Sequence, residues 1–191
     1  MILLIVWTVI QSLVGMAGFY TNTASFPPRL IFMIGPPFLF ILFLFITKRG
    51  RLFMDNCDPG AITLFHIVRI PVEIVLLILF LYSVIPETMT FEGRNFDILS
   101  GLTAPLVYWL GYKRNILSKN ILILWNVVCL GLVLNVVIHG ILSAPFPFQQ
   151  LSFDQPNIGI LYFPFTLLPG LLVPLVIFSH LLCLRSLFQK K

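Results

Sequence analysis

Apolar residues run along this chain in six long blocks separated by short polar breaks. The blocks cover roughly residues 2–19, 30–47, 61–85, 96–112, 121–142 and 159–184. At 1.5 Å per residue each is long enough to cross a bilayer core as a helix, the fourth only just. The breaks carry the punctuation that helices need. Asp58 is a good N-cap and Pro59 suits the first helical position, while Asn95 or Asp97 can cap the fourth block. The pattern predicts an all-α integral membrane bundle of six transmembrane helices in one domain, 1–191. The first block starts without a basic region and shows no small-residue cleavage site, so it reads as a retained helix. The alternative, a cleaved signal peptide, would leave five.

Several of these helices carry proline. Pro71, Pro105 and Pro174 would kink their helices and free the carbonyls of Ile67, Gly101 and Gly170. In hydrocarbon each freed carbonyl needs a partner from elsewhere.

Composition supports the same class. Of the 191 residues 59% are hydrophobic and only 10% charged, too little polar surface to coat a water-soluble globule. The net charge of +5 is gathered in short clusters. They are Lys48, Arg49 and Arg51; Lys113, Arg114 and Lys119; and Arg185, Lys190 and Lys191, following the second, fourth and sixth blocks. The positive-inside rule puts all three on the cytoplasmic side, with both termini. No basic stripe interleaved with aromatics exists, which excludes nucleic acid. The expected partner is the lipid bilayer, with a homo-oligomer or a larger membrane complex also open. Cys57 falls in a cytoplasmic loop, and Cys129 and Cys183 in apolar blocks, so no disulfide is expected.

Polar residues inside the blocks are the candidate chemistry. His66, Arg69 and Glu73 fall within about 60° of one helix face. Counting from Gly60, His66 lies about 9 Å along the helix and Glu73 about 19 Å, near mid-bilayer. A charge there is costly, so this face should point into the bundle, with Arg69 and Glu73 spaced for an i,i+4 ion pair. His180, in the last block, comes to the same depth as His66. Two facing histidines could ligate a b-type haem. Asn126 and Asn135, in the fifth block, read as interhelical glue on opposite faces. Outside the blocks, Glu87, Glu92, Arg94 and Asp97, with His139 near the outer end of its helix, form a candidate outer-face cluster. Nothing points to a resident metal.

Absences narrow the field. No lysine lies inside a block, which excludes a retinal Schiff base. No phosphate-binding loop, zinc-protease or nucleophile-elbow motif occurs, and no catalytic residues are assigned.

Three stretches carry a resemblance: F-H-I-V-R-I-P-V-E at Phe65–Glu73, E-G-R-N-F-D-I-L-S-G-L-T-A-P at Glu92–Pro105, and L-L-P-G-L-L-V-P-L with a later H-L-L-C-L-R within Leu167–Arg185. Together they resemble uncharacterised small polytopic proteins of the bacterial inner membrane. The resemblance covers about two-thirds of the chain and implies a cytoplasmic membrane location but no activity. Three functions stay open: a small transporter, channel or proton-linked carrier; a haem- or quinone-binding electron-transfer protein; and a non-catalytic membrane subunit or assembly factor.

Overall fold

A computed structural model describes residues 2–189 of the chain. Lys190 and Lys191, part of the third basic cluster, lie outside the described residues. Among the described residues the protein is all-α, with seven helices. They are α1 (Ile2–Met16), α2 (Leu30–Ile46), α3 (Lys48–Asp55), α4 (Pro59–Leu81), α5 (Ile98–Val107), α6 (Lys119–Leu142) and α7 (Leu168–Gln189).

Six of these stand where the apolar blocks predict helices, and α3 carries the first basic cluster. Three are long and apolar enough to cross a membrane by length and composition: α4, α6 and α7, of 23, 24 and 22 residues. The count becomes four, not six, if α2 and α3 form one broken span. The expectation of six full-length helices is corrected by length. The 15 residues of α1 rise only about 22 Å, short of a bilayer core of about 30 Å. After its ten α-helical residues, α5 widens into π-helical turns over Tyr108–Lys113, just past Pro105. The last helix begins at Leu168 rather than at 159, because residues 159–167 form a short 3₁₀ turn and a proline-containing loop.

Apart from α3, which turns 89° away from α2, the helices run alternately up and down. Asp58 caps α4, accepting from the backbone N–H groups of Gly60 at 2.9 Å and Ala61 at 3.2 Å. Gly60 abuts Tyr108 and Tyr112 from the end of α5, and Gly111 abuts Leu122 at the start of α6. At this same end Arg185 of α7 grips Asp55 of α3 through Nε at 3.0 Å and Nη2 at 3.1 Å. The described members of the three basic clusters therefore gather at one end of the bundle. At the opposite end Gly15 of α1 touches Thr166, and the Ile158 and Gly159 N–H groups donate to Val84 O.

Two local features shape the interior. The chain bends by 89° between α2 and α3. Thr47 caps the new helix, and a Cβ at Gly50 would run into the Leu44 carbonyl, so the corner needs glycine. Within α4, residues His66–Val68 tighten to a 3₁₀ turn just before Pro71. Gly101 of α5 packs against this turn, where a Cβ would lie 2.9 Å from Ile70 and 3.2 Å from His66 O. That close approach brings the first residues of α5 to the polar face of α4. Of the three carbonyls that proline frees, Gly170 O accepts from Trp7 Nε1 at 2.8 Å, a partner supplied by another helix.

Candidate functional site

The α4 stripe points inward as its spacing predicts. His66, Arg69 and Glu73 are 0%, 3% and 2% exposed. The expected Arg69–Glu73 ion pair, however, is not formed. Arg69 Nη1 pairs with Asp97 Oδ1 at 2.6 Å, and both side chains are buried. Helical side chains lean toward the N-terminus, so Arg69 leans away from Glu73, and Arg before Glu is the weaker i,i+4 order. The carboxylate of Asp97 arrives instead from the entry of α5, free of that constraint. It forms no side-chain cap for α5, and it leaves the outer-face cluster in which the sequence placed it.

Arg69 Nη2 lies 2.9 Å from His180 Nε2. A guanidinium only donates, so His180 accepts at Nε2 and carries its proton on Nδ1. That N–H meets Asn126 Oδ1 at 2.9 Å, while Asn126 Nδ2 donates to Leu122 O at 2.9 Å. Each link fixes the next, and His180 is held as an uncharged ring. Beside it His66 stacks face to face, with ring centroids 4.0 Å apart and planes 16° apart. Trp125 closes the edges of both rings, with its centroid 5.6 Å from each. Ser179 donates to Val176 O at 2.7 Å, which leaves its Oγ to accept from His66 Nε2 at 3.2 Å.

These histidines do not fit a haem. Axial ligands point at one iron from opposite faces of a flat macrocycle, which needs an open slab between the rings. Here the rings touch face to face, and the Nε2 atoms are taken by Arg69 and Ser179.

Glu73 is held differently. Both carboxyl oxygens accept from Asn95 Nδ2, at 2.7 and 2.8 Å. The same nitrogen donates to Met89 O at 3.0 Å, and Asn95 Oδ1 accepts from the Asp97 N–H at 3.0 Å. One buried asparagine thus holds the Glu73 carboxyl and the backbone of Asp97. A cavity of about 100 Å³ opens beside them. Arg69, Glu73 and Asp97 line it on one side, and apolar residues of α2, α4, α6 and α7, such as Phe38, Val72, Val133 and Val176, form most of the wall. Asn157 lines it too. That residue is fully buried, its Nδ2 donates to Gly140 O at 3.1 Å, and its Oδ1 has no partner. Arg69 Nε and His66 Nδ1 are also buried without partners.

Of the residues expected inside the bundle, His66, Arg69, Glu73, Asn126 and His180 come together. Asn135 does not: its Nδ2 donates to Arg94 O at 2.8 Å and ties α6 to the outer loop. The outer-face cluster is dispersed. Glu87, Glu92 and Arg94 are exposed, and His139 donates through Nδ1 to Asn135 O at 2.9 Å. Asn95, Ser179, Trp125 and Asn157 complete the site but were not expected in it. Asn95, two residues before Asp97, had read only as a helix cap.

A family model described as a domain of unknown function (DUF8737) matches residues 27–188. The chain belongs to this family. The DUF8737 match takes in every residue of the polar cluster and the cavity wall, while α1, with Trp7, lies before it. No curated protein and no solved structure matches the chain.

Proposed function

We propose that this DUF8737 protein is an integral protein of a bacterial cytoplasmic membrane that acts as a small proton-linked carrier. The membrane part of the reading rests on α4, α6 and α7 and on the bundle's apolar flanks. Leu39, Leu106 and Leu124 are 67%, 56% and 62% exposed, on outward faces that lipid would cover. The basic end is then cytoplasmic, with both termini beside it. In this reading the shorter helices cross by local thinning of the bilayer. A reporter fused to the C-terminus should be active in the cytoplasm; activity only outside would overturn this topology.

The carrier part rests on one observation: a cavity reaches a buried cluster in which one guanidinium pairs with Asp97 while a second carboxyl, Glu73, is held by an uncharged asparagine. Arg69 contributes one positive charge, and ionised Asp97 and Glu73 contribute one negative charge each. His180 is uncharged in the tautomer its bonds require, and a second proton on His66 would find no acceptor at Nδ1. From α6 the cluster is faced by Asn126 and Cys129, neither of which supplies a positive charge, and the α2 wall residues Leu30, Ile34 and Phe38 are apolar. The cluster is therefore one positive charge short of neutral. At membrane depth an unbalanced charge costs several kcal/mol. Such a cluster takes up one cation equivalent, a proton in one state of the cycle and another charge in the next.

Purified protein in vesicles loaded with a pH-sensitive dye tests this. Small cations, neutral compounds and weak acids are added in turn. At least one class should move protons across the membrane, and Glu73→Gln should abolish the movement. If no class moves protons and cells carrying Glu73→Gln behave as wild type, the cluster is structural and the protein is a non-catalytic membrane subunit.

A further inference from the structure

The carrier reading leaves open which cation alternates with the proton, and the cavity wall bears on that question. Three properties of the wall can be read separately. With both acids ionised its charge is negative by one unit, as counted above, and one proton neutralises it. Its surface is apolar over most of its extent, with Phe38, Val72, Val133 and Val176 among the lining residues. Its unused hydrogen-bonding capacity is mainly accepting: Asn157 Oδ1 is fully buried without a donor, and the two Glu73 oxygens share one amide nitrogen. Arg69 Nε is the remaining open donor, and a water or the ligand's own acceptor would meet it.

A bare metal ion is a poor match, because it needs a shell of oxygen ligands that an apolar wall cannot supply. An anion would meet two carboxyls. A neutral apolar molecule would fill the space but leave both the charge and Asn157 unanswered. Resting on the carrier reading, we infer that the cavity is the binding site for a small organic ammonium ion with an apolar body. Its N–H groups meet the acceptors on the wall, Glu73 and Asn157 Oδ1, and its hydrocarbon part lies among the valines. Because the ammonium brings the charge that a proton otherwise brings, the two exclude each other. Binding releases one proton and strengthens as pH rises. The groups that set this exchange are Glu73, Asp97 and Arg69, with His66, His180, Asn126 and Cys129 around them.

The test uses three molecules of one shape: isobutylammonium, isobutanol and isobutyrate. Calorimetry on the purified full chain in detergent, repeated in buffers of different ionisation heat, gives affinity and proton count together. Isobutylammonium should bind most tightly and release one proton. Glu73→Gln should weaken it about 10- to 100-fold, the worth of a charge-assisted hydrogen bond. Asn157→Leu should weaken it about 3- to 10-fold. Val133→Phe fills the cavity without touching a charge and should abolish binding, which keeps the test valid if the Glu73 variant does not fold. Equal binding of isobutanol or isobutyrate, wild-type affinity in a folded Glu73→Gln variant, or no binding of any probe overturns the inference. If another compound class still drives proton movement in the vesicles, the carrier reading stands without it.

Discussion

The two ends of the buried polar cluster are built on different terms. At the histidine end hydrogen bonds run unbroken from Arg69 to His180, Asn126 and the Leu122 carbonyl, with His66 and Trp125 stacked alongside. The two rings there lie in contact and leave no space between them, and His66 Nδ1 is the one ring nitrogen left without a partner. At the acid end Arg69 pairs with Asp97, Glu73 is held by the uncharged Asn95, and a cavity lies open next to them. The first arrangement fixes where α4, α6 and α7 sit. The second has charge and room to spare. On the proposed carrier reading the first serves as glue between helices and the second as the site.

The comparison can be broken from either end, and the largest effect is expected at the joint between them. Asp97→Ala would leave Arg69 buried without its counter-charge. It should cost about 3–5 kcal/mol of stability, measured as loss of unfolding free energy in mixed micelles. A cost under about 1 kcal/mol would mean that Glu73 takes over the pairing. Next comes the histidine end. Asn126→Leu leaves the His180 N–H without an acceptor and should cost about 1–2 kcal/mol by the same measurement. Proton movement should persist in whatever fraction folds.

Glu73→Gln should show the reverse pattern. The glutamine carbonyl can still accept from Asn95, so stability should stay within about 1 kcal/mol of wild type while proton movement vanishes and ammonium binding weakens about 10- to 100-fold. A large loss of stability there would assign Glu73 to the glue. The smallest expected effect is spectroscopic. Protein expressed with added haem should show no Soret band, because the stacked rings exclude a macrocycle. A band that His66→Ala removes would show that the histidine end opens in a way these contacts do not allow.

Much of this was legible in the residues. The i, i+3, i+7 spacing of His66, Arg69 and Glu73 placed them on one buried face, since any other orientation would put charge against apolar surroundings. His180 reached the same depth by simple counting. The partners of these groups were not legible. Asp97 and Asn95 read as loop and cap residues, because a sequence shows that a cap residue precedes a helix and not what its side chain faces. The proposed pair of Arg69 with Glu73 failed because an i,i+4 rule describes an isolated helix, and here a carboxylate from another helix competes. Asn135 failed in the opposite sense. A polar residue in an apolar block finds its nearest acceptor, and for Asn135 that was the Arg94 carbonyl in the outer loop.

By itself the sequence determined the all-α class, the positions of six apolar helices, the gathering of basic charge and the inward face of α4. All of these follow from periodicity and from the cost of misplacing charge, which are local properties. Only the tertiary structure decided that three or four of the helices have the length to cross a bilayer, that Arg69 chooses Asp97, and that a cavity stands beside Glu73. Those depend on a bend at Thr47, a 3₁₀ turn before Pro71 and the close approach at Gly101, where packing between distant segments, and not pattern along the chain, sets the distances.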